Sequence, residues 1–361
     1  MTTQAQEPQM DQHKAEAFAG QVLGMMNGAA MTLLISVGHR TGLFDTMAML
    51  PPSNSDQIAN AAKLNERYVR EWLNGLVVGK IVEYDPTMKT YRLPPEHAGF
   101  LTRAAGANNF ALYAQMFPQF GTIEDKVVES FRNGSGVPYS ALPSVWTLQR
   151  EMTVPLHDAV LIDVVLPMAQ GVKEKLQKGI AVADLGCGAG HSTNLMARSF
   201  PSSRFVGMDF SDEAIVMARK EAAEWGLTNV RFEVEDIAEW NPRGTYDLIT
   251  VLDAVHDQAH PRTVLKNIHS ALTPGGVFLM GDENGSSNVE DNLEFPMAPI
   301  LYTCSVFHCM TVSLAQGGEG LGTMWGEQQA RELLAEAGFK TVDVKHIEGD
   351  LEHAYFITNK G

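Results

Sequence analysis

The sequence has few cysteines, little positive charge and no long uninterrupted apolar run. Three cysteines among 361 residues are an odd and low number, which fits a reducing compartment without a disulfide framework. No uninterrupted apolar stretch reaches the about 18 residues typical of a transmembrane helix, so neither a membrane span nor a membrane partner is predicted. Residues 1–12 are polar and lack the basic-then-apolar pattern of a secretion signal. These absences predict a cytoplasmic protein.

Acidic residues outnumber basic ones, with 43 Asp and Glu against 27 Lys and Arg and a formal net charge of −16. Because an acidic surface repels phosphates, this balance argues against nucleic acid as a partner. Hydrophobic residues make up 45% of the chain and charged residues 19%, a composition that supports buried cores. The length is typical of two domains.

A glycine-rich turn after a short apolar run is the most informative feature present. Residues 180–183 are predicted to form a buried parallel strand, and Asp184 leads into Gly186, Gly188 and Gly190. Alternate glycines let the backbone turn sharply and leave bare peptide for a ligand. The spacing G-x-G-x-G differs from the G-x-G-x-x-G of dinucleotide-binding turns, and no phosphate-binding Lys-Ser or Lys-Thr pair follows. The turn therefore predicts a nucleoside ligand without a pyrophosphate.

Strands and helices alternate after this turn. Strands are predicted over residues 204–209, 230–236, 246–252 and 277–280, with a terminal strand pair at 340–347 and 354–358. This alternation predicts an α/β fold with a doubly wound sheet that binds ligands at the carboxyl ends of its strands. Acidic residues stand at those ends, and Asp209, about 20 positions beyond the glycine turn, is placed to bind a ribose.

Residues 184–190 resemble D-x-G-x-G-x-G, the first motif of class I S-adenosylmethionine (SAM)-dependent methyltransferases. The resemblance implies a seven-stranded Rossmann-like methyltransferase sheet over residues 177–361, with SAM as the cofactor. Within it, Phe210 is expected to pack on the adenine and Asp236 to accept a hydrogen bond from the adenine amine. The residues expected to hold SAM are Asp184, Gly186, Gly188, Gly190, Asp209, Phe210, Asp236, Ile237 and Asp253.

Residues 1–105 are predicted to form a helical winged-helix domain. Apolar helices over residues 12–49, a short helix with Ser55 as its N-cap, a helix over residues 66–78 and a β-hairpin follow one another in the winged-helix order. The 66–78 helix lacks the positive excess that DNA binding requires, because its two arginines are offset by two glutamates. By similarity to plant-type small-molecule O-methyltransferases, the domain is expected to cover the substrate and to form a homodimer. Residues 106–176 are predicted to be a helical connector.

His256 is the predicted general base, because it begins a His-Asp pair just past the end of the fourth strand. Plant-type O-methyltransferases carry such a pair here, although this chain has Gln258 where they have tryptophan. A carboxylate that orients an imidazole fixes its tautomer and raises its basicity, and Asp282 or its neighbour Glu283 is expected to provide that carboxylate. His308 is the alternative base.

Residues 283–325 form a long insert after the fifth strand and are predicted to be a lid over the site. A winged-helix group of microbial class I methyltransferases resembles nearly the whole chain, including residues 308–314 and 322–326. Cys304 and Cys309 lie in the insert without the C-x-x-C spacing of a zinc site, and no metal is predicted.

These features predict a SAM-dependent methyltransferase that acts on a small-molecule acceptor, with oxygen favoured over sulfur or nitrogen. Two alternatives stay open. A nucleic-acid methyltransferase would use the winged helix as its reader, but the Asn-Pro-Pro-aromatic turn expected after the fourth strand is replaced by residues 252–255, Leu-Asp-Ala-Val. A non-catalytic SAM-binding regulator would bind SAM without turnover.

Overall fold

The computed structural model describes residues 10–142 and 145–361, which form two compact units divided between Pro118 and Gln119. This division lies inside the predicted connector, and the predicted boundaries at residues 105 and 176 stay predictions. The prediction that the chain has no secretion signal depends in part on residues 1–9, and these lie outside the described residues.

The first unit consists of helices and one β-hairpin. Its elements in chain order are α1 (Gln12–Thr41), α2 (Leu43–Met49), α3 (Ser55–Ala62), α4 (Glu66–Val78), β1 (Glu83–Asp85), β2 (Thr90–Arg92) and α5 (Pro95–Leu101). α1 ends because Gly42 adopts a left-handed φ of 71° and donates its N–H to the last carbonyls of the helix. The order confirms the predicted winged-helix arrangement. The predicted N-cap of α3 is wrong: Asn54 caps that helix in a capping box with Gln57, and Ser55 is its first residue.

Two helices of the described chain are long and apolar enough to cross a membrane, judged by length and composition alone: Gln12–Thr41 and the segment Ala298–Ala315. The sequence prediction excluded a span because it required an uninterrupted apolar run, whereas a high mean hydropathy over 18 residues suffices. That exclusion is therefore corrected. The segment Ala298–Ala315 is partly buried within its unit, while no residue of the apolar window of α1 is buried.

The second unit carries the sheet and the helices that cover it, and it begins inside its first helix, at Gln119. Its elements are α6 (Met116–Asn133), α7 (Val145–Val160), α8 (Leu166–Met168), α9 (Val172–Lys178), β3 (Ala181–Leu185), α10 (His191–Ser199), β4 (Arg204–Asp209), α11 (Asp212–Glu224), β5 (Val230–Val234), β6 (Tyr246–Leu252), α12 (Pro261–Ala271), β7 (Leu272–Glu283), α13 (Ala298–Cys304), α14 (Met310–Ala315), α15 (Gly326–Ala337), β8 (Val342–Lys345) and β9 (His353–Asn359). Single π-helical turns extend α7 over Leu161–Val165 and join α13 to α14 over Ser305–Cys309.

Within the described residues of this unit, seven strands form one sheet in the order β5-β4-β3-β6-β7-β9-β8. β9 runs antiparallel to both of its neighbours, and the other pairs are parallel. The chain order reverses at β3, which pairs with β4 on one side and β6 on the other. A sheet of this kind binds ligands where the order reverses, at the carboxyl ends of the strands. The predicted fold class, a doubly wound seven-stranded α/β sheet, is confirmed.

Alternate residues of the central strands face opposite layers of helices, as the two-residue period of a strand requires. On β3, Ala183 and Leu185 belong to the core under α12 and α15, while Val182 belongs to the core under α9 and α10. All three side chains are fully buried. Because the strands are held on both faces, the loops at their carboxyl ends have a rigid support.

Candidate active site

The loop after β3 requires its glycines for two different reasons. Gly186, Gly188 and Gly190 all have left-handed φ values, 65°, 51° and 75°. A Cβ at Gly190 would lie 2.4 Å from the Cβ of Ala218, and one at Gly186 would lie 2.6 Å from the Cβ of Ala254. A Cβ at Gly188 would meet nothing within 4 Å in the described part of the chain. The middle of the loop is therefore an open cradle between two tightly packed ends.

Asp184 stabilises this loop through hydrogen bonds to three hydroxyl groups. One carboxylate oxygen accepts hydrogen bonds from the hydroxyls of Ser192 and Thr193, at 2.7 and 2.6 Å, and the other accepts from Thr250 at 2.7 Å. Burial raises the pKa of Asp184 and the three hydroxyl donors counteract that rise. The structure shows how Asp184 orders the loop; its predicted contact with the ligand stays a prediction.

Asp209 connects the end of β4 to the same loop. Its carboxylate accepts the backbone N–H of Gly188 and that of Ser211, both at 2.9 Å. Burial raises the pKa of Asp209, and these two backbone donors oppose the shift. The carboxylate is 5% exposed and is thus fixed beside the open cradle at Gly188.

The next residues along this edge differ in exposure. Phe210 has 46% of its surface exposed and packs against Tyr139 and Trp146, with ring centroids 5.2 and 5.9 Å away. Asp236 follows β5, is exposed, and accepts the N–H of Ala238. Ile237 is buried in the core. The roles predicted for these three residues toward an adenine stay predictions.

A buried polar network begins at His256, in the loop after β6. The Nδ1 atom of His256 lies 2.8 Å from an oxygen of Asp282, near the end of β7. The indole N–H of Trp325 donates to the same oxygen at 2.9 Å. On its other side, His256 Nε2 lies 3.5 Å from Asp257, whose second oxygen accepts the hydroxyl of Tyr139 at 2.8 Å. The two carboxylates hold the imidazole in one orientation, and Trp325 and Tyr139 each hold one of those carboxylates.

The pKa of His256 is raised well above its usual range. Burial alone would lower it, but the carboxylates of Asp282 and Asp257 outweigh that effect by favouring the imidazolium. The hydroxyl of Tyr139 stays protonated and remains a donor, because burial and Asp257 raise its pKa well above the usual value.

The other two predicted catalytic residues have different surroundings. Glu283 is next to Asp282 in the chain, and burial together with the nearby carboxylates of Glu352 and Asp253 raises its pKa well above the usual value. The Nε2 atom of His308 is buried without a hydrogen-bond partner among the described residues, and burial lowers the pKa of this imidazole. Asp282, not Glu283, orients His256 in this structure.

Three residues of the network carry one potential metal-ligand atom each. In the described chain, the donor atoms of His256, Asp257 and Cys309 lie within 4.8 Å of one another. Burial raises the pKa of the Cys309 thiol well above the usual value, which disfavours the thiolate that metals bind.

Sequence reasoning missed two members of the network. Trp325 lies 43 positions from Asp282, and Tyr139 lies 118 positions from Asp257, so no local spacing connects either pair. Gln258, the departure from the plant-type motif, donates its side-chain N–H to the carbonyl of Ala254 at 2.8 Å and closes the loop that carries His256.

The doubly wound sheet carries a glycine loop at its switch point and a buried histidine–carboxylate pair after the neighbouring strand β6. Residues 29–103 match the family model described as Rv2258c-like winged HTH domain, and residues 176–338 match the model described as methyltransferase domain. The chain therefore joins a winged helix-turn-helix domain to a methyltransferase domain, which confirms the predicted family.

Curated relatives match part of the chain. Trans-aconitate 2-methyltransferase of Variovorax paradoxus (strain S110) is 37% identical over 127 residues, which are 34% of this chain and 42% of the relative. Ubiquinone biosynthesis O-methyltransferase of Vibrio cholerae is 33% identical over 135 residues, 36% of this chain and 51% of the relative. The chain thus spans about half the length of these relatives.

Solved structures match nearly the whole chain. Human N-acetylserotonin methyltransferase, in a complex with SAM, has a TM-score of 0.70 at 19% identity and covers 98% of this chain and 99% of its own. A mitomycin 7-O-methyltransferase has a TM-score of 0.71 at 17% identity, with coverage of 97% and 100%. At these identities the likeness establishes the fold.

Proposed function

We propose that the protein is a SAM-dependent methyltransferase that methylates a small-molecule acceptor at oxygen, with His256 as its general base. The observation that carries the proposal is the buried pair of His256 and Asp282 beside the glycine loop. Ala254, two residues before His256, is the residue that a side chain at Gly186 would strike. The predicted base and the predicted nucleoside loop are thus adjacent.

The residues present fit SAM as the cofactor. Gly188 leaves an open cradle, Asp209 fixes a carboxylate beside it, and Phe210 exposes an aromatic face. Carboxylates and aromatic faces suit a ribose and an adenine respectively. The methyltransferase-domain match, and the neighbours solved with SAM or its spent form, agree with this assignment.

SAM, when bound, supplies an electrophilic methyl group on a sulfonium. That methyl group would be transferred to the acceptor oxygen, which must lose its proton to a base of the protein. His256 takes the acceptor proton at Nε2, since Nδ1 is committed to Asp282. Asp282 and Asp257 stabilise the imidazolium that results. General-base catalysis of this kind contributes about 10²–10⁴-fold.

The walls around this base support a flat, partly apolar acceptor. Tyr139 stacks on Trp146 at 5.3 Å and meets the edge of His308 at 5.3 Å. Aromatic walls with a few polar groups are typical of small-molecule sites.

Replacing His256 tests the mechanism. In the His256→Ala variant, S-adenosylhomocysteine affinity should stay at the wild-type level in a calorimetric titration, while turnover falls about 10²-fold or more. Release of S-adenosylhomocysteine over a panel of phenols, carboxylates, thiols and amines would identify the acceptor class. Unchanged turnover in His256→Ala would remove this residue from the mechanism, and no calorimetric binding to the wild type would remove SAM.

The homodimer is also part of the proposal. α1 exposes large apolar side chains that a second copy would cover, among them Phe18, Leu23, Met25 and Met26, each about 60% exposed. A cytoplasmic location and the absence of a nucleic-acid partner stay predictions, which the net charge of −16 supports for nucleic acid.

A further inference from the structure

Three side chains from two distant parts of the chain bring one metal-ligand atom each to a single point. His256 and Asp257 belong to the loop after β6, and Cys309 ends the π-helical turn that joins α13 to α14. Their donor atoms lie within 4.8 Å of one another. Ligand spacing of the C-x-x-C kind does not reveal this group, because Cys309 is far from the other two residues in the sequence.

The separations between the three donor atoms suit an ion of the size of zinc. Tetrahedral bonds of about 2.0 Å to nitrogen, about 2.1 Å to oxygen and about 2.3 Å to sulfur place the ligand atoms about 3.3–3.6 Å apart. Nε2 of His256 and Oδ1 of Asp257 already have this separation, at 3.5 Å. A contraction of about 1 Å would bring the Sγ atom of Cys309 to it as well. Three protein ligands leave the fourth tetrahedral position for a water molecule.

One of the three ligand atoms lacks a hydrogen bond. Oδ1 of Asp257 is buried and accepts no hydrogen bond from residues 10–142 and 145–361. The side chains of His256 and Asp257 are only 4% and 11% exposed, so water has little access to them. A buried carboxylate oxygen without a donor is costly, and a cation would satisfy it. This oxygen therefore points to a positively charged ligand between the three side chains.

The neighbouring groups orient two of the ligands. A histidine that binds a metal usually donates its other ring N–H to a carboxylate. Nδ1 of His256 lies 2.8 Å from Asp282, whose oxygen also accepts the indole N–H of Trp325. The second oxygen of Asp257 accepts the hydroxyl of Tyr139 at 2.8 Å, which leaves Oδ1 for the ion. The imidazole and the carboxylate are thus held in place before an ion binds.

The raised pKa of the Cys309 thiol is an obstacle that the ion itself removes. Burial and, after it, the nearby carboxylate of Asp257 raise this pKa. A divalent cation nevertheless deprotonates a thiol that coordinates it. Binding therefore releases the thiol proton and any proton on Nε2 of His256. The thiolate and the Asp257 carboxylate then neutralise the two positive charges of the ion.

We propose that His256, Asp257 and Cys309 form a binding site for a divalent cation of the zinc type, and that the bound ion inhibits methyl transfer by occupying Nε2 of His256. A thiolate, an imidazole and a carboxylate together favour zinc over magnesium and calcium, which prefer oxygen ligands. An imidazole nitrogen that coordinates a metal has no lone pair left for the proton of the acceptor. The inhibitory part of the inference rests on the proposed function, whereas the binding part does not.

Cobalt(II) tests the binding part, because a thiolate bound to Co²⁺ gives a charge-transfer absorption band in the near ultraviolet. Titration of the full chain with Co²⁺, in the presence of a phosphine reductant, should produce this band, and Zn²⁺ should displace it. Cys309→Ser should abolish the band and weaken Zn²⁺ binding in calorimetry by about 100-fold or more, the upper end of the loss typical of changes around a metal site. Cys304→Ser removes a thiol of the same segment outside the cluster and should keep both signals. Circular dichroism checks that each variant is folded.

The inhibitory part is tested by the release of S-adenosylhomocysteine with and without Zn²⁺, each variant being compared with its own rate in the presence of a chelator. Saturating Zn²⁺ should lower the wild-type rate about 10²-fold or more, as expected when a general base is lost, and a chelator should restore it. Cys309→Ser should resist Zn²⁺ concentrations that inhibit the wild type and Cys304→Ser.

The possible results separate the inference from the proposed function. A wild type without the cobalt band, or a band that persists in Cys309→Ser, would show no binding or adventitious binding only and would overturn the inference while leaving the proposed function standing. Zn²⁺ binding that leaves the wild-type rate unchanged would overturn the inhibitory part. A wild type that shows the band but methylates no acceptor would overturn the proposed function and the inhibitory part, and the metal site would stand.

Discussion

Replacing Asp282 with asparagine should shift the pH dependence of turnover to lower pH. His256 accepts a proton only when neutral, and its pKa is raised well above the usual range, so the wild-type rate should rise with pH through that raised pKa. A charge pair about 4 Å apart at an effective dielectric constant of about 20 interacts by about 4 kcal/mol. This corresponds to at most about 3 pH units. Asp257, 3.5 Å away, retains part of the effect, so we expect a shift of about 1–3 units.

The assay is kcat/KM for S-adenosylhomocysteine release from about pH 6 to 9 with a saturating donor. The plateau of Asp282→Asn should also be lower, because a less basic imidazole is a weaker proton acceptor. Glu283→Gln is the matched control: burial and neighbouring carboxylates raise the pKa of Glu283 well above the usual value, which favours the uncharged form that an amide resembles. Its midpoint should stay at the wild-type position. An Asp282→Asn midpoint equal to that of the wild type would refute the reasoning.

Three further predictions follow from individual positions. Gly190→Ala should destabilise the fold by about 2–4 kcal/mol in urea unfolding, because its Cβ would lie 2.4 Å from a buried carbon and its φ is 75°. Gly188→Ala, with open space around its Cβ, should cost only about 1 kcal/mol, and equal costs would contradict the packing argument. Burial lowers the pKa of His157 to about 4 in the folded protein, against 6.5 for the free side chain. The free energy of unfolding should therefore have its full value above pH 6.5 and should fall by about 3 kcal/mol as the pH drops toward 4. His157→Leu should abolish this pH dependence. Leu23→Glu with Met26→Glu should convert a dimer to a monomer in light scattering. A wild-type monomer would contradict the proposed dimer, and binding of that monomer to lipid vesicles would indicate that the apolar face of α1 contacts a membrane instead.

The sheet was largely predictable because both of its faces are buried. A strand that is covered on both faces appears in the sequence as a short apolar run. The strands predicted over residues 204–209 and 246–252 accordingly agree with β4 and β6. The predicted helix start was wrong where a cap decides it, as at Asn54, because the four consecutive residues 53–56 (Ser-Asn-Ser-Asp) can each act as an N-cap. β7 also begins five residues before its predicted start. There the pairing with β6 extends the strand beyond its apolar run.

The candidate site was predictable only where its residues are local. Asp209 follows from its distance to the glycine turn, and His256 follows from its position after a strand. The contact between Asp257 and Tyr139 depends on how a separate helical segment packs, and no periodicity encodes it. The exposed apolar surface of α1 was not predicted for a different reason. The helix has a high mean hydropathy, but the sequence criterion looked for an uninterrupted apolar run, which α1 lacks.

The pH profile also distinguishes His256 from His308, the two candidate general bases between which the sequence did not decide. Carboxylates raise the pKa of His256, whereas burial lowers that of His308. If His308 were the base, it would already be neutral near pH 6.5, and kcat/KM would be flat above that pH. A base that Asp282 contacts would instead give a kcat/KM that keeps rising above pH 6.5 in the wild type and that no longer rises there in Asp282→Asn. That base is His256, because Asp282 lies 2.8 Å from its imidazole.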